Sequence, residues 1–203
     1  MIRINGVDKE SQVHVQSSIE HGMYHMTANK KLFEPQRSSD FEFFVTDLSG
    51  IAKVGDNRTY GDDVQEMLRL AVVSCPIPHF SIEPLVERRG NSVQKFAGLP
   101  TFPEGQLTVR DWIGVDTKSM LMSWQHCAYD VYTDKVGTLS DYKKDCYLVE
   151  YTPDRQKVRQ WILYGCWVSE ISEDPFNHET STARSITATI QYDKAVMDVR
   201  DLD

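Results

Sequence analysis

Three histidines near the start of the chain have a spacing that could bind a metal ion. His14, His21 and His25 follow one another at steps of seven and four residues, so a helix would place all three on one face. Imidazole nitrogens are common zinc ligands. No cysteine or carboxylate joins them in a recognisable ligand motif, and we interpret the segment as a polar arm rather than a metal site.

A second group has the residue types needed for nucleophilic catalysis. Cys127 is a possible nucleophile, with His126 as its base and Asp130 nearby. Adjacent helix positions do not face each other, and Cys127 falls on the apolar stripe of a predicted helix, so we expect core packing. The sequence contains neither a G-x-S-x-G elbow nor a phosphate-binding loop. We therefore predict that the protein is not an enzyme and uses no cofactor or metal.

Four carboxylates lie close together in sequence without forming a catalytic pair. The predicted strand and turn positions scatter them, so we expect a solvated face. These residues are Asp141, Asp145, Glu150 and Asp154.

The four tryptophans could stack on nucleic-acid bases. At the alternating positions that they occupy, such large side chains are far more often part of a core. We predict that the residues packing helix against sheet are Trp112, Leu121, Trp124, Trp161 and Trp167.

Composition limits the possible functions. The chain has 203 residues, 40% hydrophobic and 26% charged, which is typical of a folded globular protein. With 22 Lys and Arg against 30 Asp and Glu, the net charge is −8, which argues against a uniformly basic surface that grips nucleic acid. The sequence contains no apolar run of about 18 residues, so we predict no membrane span. The first residues lack the apolar core of a signal peptide. The four cysteines form no C-x-x-C pair, so we expect reduced thiols.

The predicted elements centre on a hairpin at residues 146–167. Both faces of its first arm, residues 146–151, carry apolar side chains. Residues 152–155 are predicted to form a Pro-Asp turn, and the second arm runs from 157 to an end at Gly165. One helix is predicted at about 117–131, capped by Asp116 or Thr117, because apolar residues recur there at steps of three and four.

Further strands are predicted on both sides of this region. Residues 64–75 fit either a helix or a strand, and the end at Pro76 with two preceding valines favours a strand. Residues 80–88 and 92–97 flank a predicted turn at 89–91, with Pro84 at an edge or bulge. Residues 98–105 read as a rigid connector, followed by a strand at 106–113. A further extended run is predicted from 166 to 171, after Gly165, and the remaining strands are predicted at 41–48 and 185–193.

These elements predict a mainly β fold. Eight or nine strands and one helix favour a β-sandwich or barrel of two packed antiparallel sheets with the 117–131 helix on its flank. Residues 1–40 are polar and weakly periodic, so we predict an N-terminal arm or peripheral segment there and the β-domain at 41–203.

A series of motifs follows in a fixed order along the second half of the chain. F-x-E-G-x-L-T-V-R-D-W at 102–112 precedes the helix that carries Trp124; Y-K-K-D-C, E-Y-T-P-D and L-Y-G-C-W follow at 142–146, 150–154 and 163–167, and S-I-T-A-T-I-Q-Y-D ends the series at 185–193. This order resembles the tail tube proteins of contractile-tailed bacteriophages. The resemblance spans about residues 95–193, with a weaker match from Phe41.

The resemblance implies a structural virion protein with a β-sandwich fold. Its subunits would form hexameric rings, stacked into a tube through which DNA passes into the host. The implied partners are further copies of the chain, the sheath, the baseplate and the tape-measure protein, and the implied location is a virion tail assembled in the host cytoplasm. A baseplate tube-initiator protein and the tube protein of a bacterial contractile injection system are the alternatives, with a β-sandwich enzyme as the rival class.

Two sets of residues are candidates for assembly. The family uses a loop near the start of the sandwich to touch the next ring, and here the loop is residues 49–63, for which a mobile surface loop is the alternative. Its candidate contacts are Asp56, Arg58, Tyr60, Asp62 and Asp63.

The polar positions of the last strand are the candidates for the lumen wall, namely Thr187, Thr189 and Gln191. A net-acidic protein suits a DNA conduit because a negative wall repels phosphate, although the charge has ordinary solubility as its alternative explanation.

Overall fold

The computed structural model describes residues 3–4, 7–8, 35–54, 58–173, 175–176 and 182–199. Internal contacts divide the chain into two units, Met1–Ser38 and Ser39–Asp203. In the first unit, β1 (Arg3–Ile4) pairs antiparallel with β2 (Val7–Asp8). The three histidines considered as metal ligands, His14, His21 and His25, and most of the predicted 1–40 arm lie outside the described residues.

The second unit is mainly β, as the sequence predicts. Its helices are α1 (Val64–Ala71), α2 (Thr117–Ala128) and α3 (Leu139–Tyr142). Its strands are β3 (Phe41–Val45), β4 (Val72–Ser74), β5 (Ser81–Arg89), β6 (Ser92–Thr101), β7 (Gly105–Arg110), β8 (Tyr129–Asp130), β9 (Lys135–Val136), β10 (Lys144–Tyr151), β11 (Lys157–Glu173), β12 (Ser185–Gln191) and β13 (Lys194–Val199).

Seven strands form one antiparallel sheet system organised by β11. The order is β3-β10-β11-β12-β7-β4, and β13 also pairs with β11. The first part of β11 pairs with β10 and β13, and its last part pairs with β12. Two curled half-sheets therefore share one long strand. The predicted hairpin at 146–167 is confirmed as the β10–β11 pair.

The predicted end of the second hairpin arm at Gly165 is wrong, because β11 continues for 17 residues to Glu173. Gly165 has a positive φ of 66°, and the pairing of β10 with β11 shifts register between Lys144 and Cys146, near this glycine. A residue in the left-handed region bends a strand without ending it. A sequence pattern does not separate the two outcomes.

The region at 64–75, predicted as a strand, is mostly helix. Val64, Leu68 and Ala71 are buried along α1 at helical steps, whereas Glu66 lies on the exposed side. Eight residues fit both periodicities, and burial of this single stripe against the sheet decides for the helix. Only the short β4, directly before the proline-rich segment, has the predicted extended conformation.

Helix α2 begins as the sequence predicts and ends three residues earlier, at Ala128. The Asp116 side chain accepts a hydrogen bond from the Ser119 amide at 3.3 Å and so caps the first turn. Trp124 is 1% exposed and donates its indole N–H to the Tyr142 carbonyl at 2.8 Å. Across the described residues, no helix has the length and apolar character needed to cross a membrane.

The core lies between the two half-sheets and helices α1 and α2. Strands of both halves contribute fully buried side chains, and Leu121 and Trp124 join them from α2. Representative buried residues from the strands are Phe43, Val45, Leu107, Val109, Leu148, Leu163, Ile186 and Ile190.

Strands β5 and β6 form a separate two-stranded hairpin. The predicted turn and the predicted bulge at Pro84 are both confirmed: Gly90 has a φ of 62°, and the register shifts between Ile82 and Pro84. A Cβ at Gly98 would lie 2.3 Å from the Glu83 carbonyl oxygen, so the bulge requires glycine at this position. The predicted connector at 98–105 is partly wrong, because β6 continues to Thr101.

Candidate assembly surfaces

The β5–β6 hairpin is the largest exposed element of the second unit. Every residue from 81 to 101 is exposed, and no other described element packs extensively on either strand. Six apolar side chains on the hairpin are 46% to 85% exposed: Ile82, Leu85, Val86, Val93, Phe96 and Leu99. Large apolar side chains grouped in this way usually mark an interaction surface.

The two faces of the hairpin differ in charge. Directly paired residues share a face, so Leu85 and Phe96 lie together on one side. The same side carries Glu87 and Arg89, which form an ion pair at 3.8 Å.

The opposite face is called the cationic face here. It consists of the pairs Val86–Lys95 and Arg88–Val93. Within the described part of the chain, neither Arg88 nor Lys95 forms an ion pair.

A second exposed surface follows α2 and is called the 129–141 surface. It consists of the short β8–β9 pair and the start of α3. Five of its apolar side chains are 46% to 78% exposed: Tyr129, Val131, Tyr132, Val136 and Leu139. The carboxylates of Asp130, Asp134 and Asp141 lie among them.

The carboxylates of the 129–141 surface bond to uncharged donors. Asp130 accepts from the Tyr132 amide and the Thr133 hydroxyl, and Asp141 accepts from the Thr138 amide and hydroxyl. These bonds, led by the hydroxyl donors, lower the pKa of Asp130 and of Asp141. Both carboxylates are therefore ionised at neutral pH.

The polar face of β12 is partly exposed and is called the polar wall here. Thr187 and Thr189 alternate with buried Ile186, Ala188 and Ile190 and are themselves partly exposed. Their direct neighbours on β7 and β11 are also polar: Thr187 pairs with Thr108 and Ser172, and Thr189 pairs with Gln106 and Glu170.

The ends of this wall are also polar. Ser185 pairs with Arg110, and Gln191 donates to the Glu104 carboxylate at 2.6 Å. The charged residues of this surface are Arg110 and Glu170 at paired positions and Glu104 at the Gln191 end, and the remaining polar groups at the paired positions are hydroxyls and amides.

The candidate loop at 49–63 is a hydrogen-bonded ribbon in its described part. The Gly50 amide donates to the Tyr60 carbonyl and the Lys53 amide to the Arg58 carbonyl, while the Val54 amide donates to Ser123 on α2. Burial raises the pKa of the Tyr60 phenol, and Lys53 lies 4.8 Å from its ring centre.

The other candidate residues of this loop differ in exposure and description. Arg58 is exposed, as are Asp62 and Asp63 before α1. Asp56 lies outside the described residues.

Trp112 is 48% exposed, which corrects its prediction as a core residue. Strand β7 ends at Arg110, and the Trp112 carbonyl accepts from the Val115 and Asp116 amides in a turn, so the alternation of the strand no longer applies. Trp161 is partly buried against the core, and Trp167 makes an edge contact with Tyr142 at 5.9 Å.

The residues considered for nucleophilic catalysis have structural partners. The Cys127 thiol donates to the Ser123 carbonyl at 3.2 Å, and the His126 ring lies 5.9 Å from Tyr132. Burial raises the pKa of Cys127 and raises that of Cys75 to about 12, so both thiols are protonated at neutral pH.

The scattered carboxylates also have local roles. Asp145 accepts from the Gly165 amide at 3.2 Å, Glu150 pairs with Arg159 at 2.6 Å, and Asp154 accepts from Thr152. Within the described ranges, no three His, Cys, Asp or Glu side chains lie close enough together to hold a metal ion.

The sequence predicts the 81–101 hairpin but not its use as a surface. The available signal was that apolar residues occupy both faces of this hairpin, although Pro84 predicts a strand at the edge of a sheet. The 129–141 surface has a weaker signal, because its apolar residues directly continue the stripe of α2.

The architecture is a curled antiparallel β fold with a flanking helix and an exposed hairpin. No family model matches the chain, and no curated protein sequence matches it. The solved structures that share this fold are parts of contractile injection systems, and they confirm the resemblance to tail tube proteins at the level of the fold.

Particular solved structures share this fold. One is a chain of the sheath–tube complex, in its extended state, of the extracellular contractile injection system PVC, at 15% identity and a TM-score of 0.59, covering 86% of this chain and 98% of that one. Another is a chain of the tube-terminating cap of the anti-feeding prophage, at 12% identity and a TM-score of 0.58, covering 82% and 93%. A chain of the PVC sheath/tube terminator matches at 15% identity and a TM-score of 0.57, covering 82% and 98%.

Proposed function

We propose that the protein is a structural, non-catalytic tube subunit that assembles into stacked rings in a contractile tail or injection machine. In the phage form of this proposal, the rings are hexameric and the tube conducts DNA into the host. The particle is assembled in the host cytoplasm with a sheath, a baseplate and a tape-measure protein. The tube-protein fold supports the class of the proposal.

The exposed β5–β6 hairpin is the observation that carries this proposal. A two-stranded hairpin is marginally stable by itself in water, and this one has apolar side chains on both faces with no extensive packing on either. Docking on another molecule removes that apolar area from water, at about 25 cal/mol per Å². A contact between two different patches on identical chains generates rings or filaments.

The polar wall of β12 supports a place for the lumen. We assign Thr187, Thr189 and Gln191 to the channel side, together with their cross-strand neighbours. A wall of hydroxyls and amides with one arginine and two glutamates keeps water at its surface and offers no row of cations to hold phosphate.

The ribbon at 49–63 is proposed as a further inter-ring contact, through Arg58, Tyr60, Asp62 and Asp63 in its described part and through Asp56. The 1–40 arm is proposed for the same role or for contact with the sheath or baseplate. Their position in the chain, before the main sheet, corresponds to the loop that the resemblance implies.

Assembly of variants with a charged hairpin tests the proposal. We expect the wild type to form rings or hollow tubes of uniform width, visible by negative-stain electron microscopy and sedimentation across a concentration series. Leu85→Glu with Phe96→Glu should leave a folded monomer, because carboxylates replace the paired apolar side chains. Leu70→Glu with Ile113→Glu is the matched control, since both residues are exposed outside the hairpin and the change in charge is the same; this variant should assemble normally.

A wild type that remains monomeric at high concentration, with and without a purified baseplate, would contradict the proposal. An end protein is a second candidate, because two of the similar structures are a cap and a terminator. Single rings that never stack, but that bind one end of a preformed tube, would identify that role.

A further inference from the structure

We propose that the cationic face of the β5–β6 hairpin binds the 129–141 surface of a second copy of this chain. This proposal rests on the proposed function, because it names the two surfaces through which subunits join.

The cationic face combines apolar and charged groups in a crossed pattern. Val86 lies opposite Lys95, and Arg88 lies opposite Val93, so each cation has an apolar residue as its cross-strand neighbour. All four side chains are exposed. The opposite face differs, because Arg89 there forms an ion pair with Glu87 and the apolar residues Leu85 and Phe96 pair with each other rather than with a cation.

The 129–141 surface has the matching pattern with the opposite charge. Its exposed apolar side chains surround Asp130, Asp134 and Asp141, and the structure gives none of these three an ion pair within the residues that it describes. Asp134 accepts from the Tyr129 hydroxyl at 2.8 Å. Lys135 is the one cation between residues 129 and 141, and Lys144 reaches the surface at the Ser140 carbonyl, at 3.4 Å. Three carboxylates against two ammonium groups leave the surface net negative.

The hairpin is also long enough to span the 129–141 surface. The hairpin strands of nine and ten residues extend for about 30 Å at a rise of roughly 3.4 Å per residue, which is long enough to cross the short β8–β9 pair. Apolar contacts supply affinity, and the charges fix the register and exclude wrong partners.

The contact is heterologous, because the hairpin and the 129–141 surface are different parts of the chain. Each copy therefore presents one donor surface and one acceptor surface. Copies joined in this way form a ring or a filament rather than a closed pair, which agrees with the assembly proposed above.

The first experiment compares two double variants with equal charge. Arg88→Gln with Lys95→Gln, and Arg37→Gln with Lys194→Gln, each change the net charge by −2, from −8 to −10. Only the first pair removes the cations from the cationic face; the second removes two exposed cations that lie outside the hairpin and outside the 129–141 surface. We expect the first to raise the concentration needed for assembly at least tenfold and the second to change it less than threefold, by sedimentation.

The second experiment needs no variant. A zero-length carbodiimide joins an amine to a carboxylate that it contacts, so assembled wild-type protein should give a cross-link from Lys95 to Asp130, Asp134 or Asp141. Mixing ¹⁴N- and ¹⁵N-labelled protein before assembly shows by mass spectrometry that the two peptides come from different copies.

The outcomes separate this proposal from the proposed function. Assembly with equal loss in both double variants, or a cross-link from Lys95 to carboxylates elsewhere, would leave the tube role intact and overturn the assignment of the surfaces. Failure of the wild type to assemble at all would overturn both. Charge reversal, with Arg88→Glu and Lys95→Glu combined with Asp134→Lys, should restore part of the assembly that the two hairpin changes alone abolish.

Discussion

Gly165 is the residue on which the course of the longest strand depends. Its φ is +66°, its amide donates to Asp145, and a Cβ there would lie 2.4 Å from the Asp193 carboxylate. That carboxylate is held at 2.6 Å by Lys143. Glycine at this position satisfies both a backbone conformation and a close approach.

We expect Gly165→Ala to lower the free energy of unfolding by about 1–3 kcal/mol, because a left-handed non-glycine residue and a steric contact are introduced together. Urea denaturation monitored by tryptophan fluorescence measures this loss. Gly50→Ala is the control, since Gly50 has a φ of +81° and a Cβ added there would have no atom within 4 Å. A loss no larger than that of Gly50→Ala would show that the Asp193 contact carries no cost.

For single residues, the sequence predicts burial correctly in some cases and not in others. Leu121 and Trp124 are buried, as their helical spacing indicates, but Trp112 is not. The reason is that alternation predicts a face only while the strand continues, and β7 ends two residues before Trp112. Where a strand ends depends on its pairing partners, which a single sequence does not display.

Among the elements, α1 shows how burial decides between two periodicities. Leu68 and Leu70 lie two residues apart, and the strand prediction places both on one face. In the helix, Leu68 is 2% exposed and Leu70 is 70% exposed. The two leucines therefore give a direct test of the element.

We expect Leu68→Ala to lower the free energy of unfolding by about 2–5 kcal/mol, because it removes buried methyl groups and leaves a cavity. Leu70→Ala should change it by less than about 0.5 kcal/mol, as is usual for surface substitutions. Chemical denaturation of the two variants gives both values. Equal losses at the two positions would favour the strand instead of the helix.

The elements that could be predicted are those with a strong local signal. The β10–β11 turn has Pro and Asp, α2 has the Asp116 cap, and the 81–101 hairpin has Gly90. The elements that could not be predicted depend on distant partners: α1 packs against β3, and β13 pairs along β11. The candidate surfaces have the same limit, because exposure is the absence of a partner elsewhere in the chain.

For the whole molecule, the sharing of β11 has an energetic consequence. Both half-sheets include this one strand, so neither half can lose its partner strands without exposing the core of the other. We expect residues 39–199 to unfold in one cooperative transition. Far-ultraviolet circular dichroism and the fluorescence of the four tryptophans should give coincident curves in urea, and two separated midpoints would contradict this expectation.

The sequence of the β5–β6 hairpin is largely independent of the packing of the core. Because β5 and β6 pair only with each other, substitutions along them that preserve Gly90 and the bulge do not alter the core. The sequence of this hairpin can therefore change during evolution while the core stays the same. Under the assembly proposed above, two chains with the same core and different hairpins would not join one another, so a single β-hairpin would decide which copies assemble together.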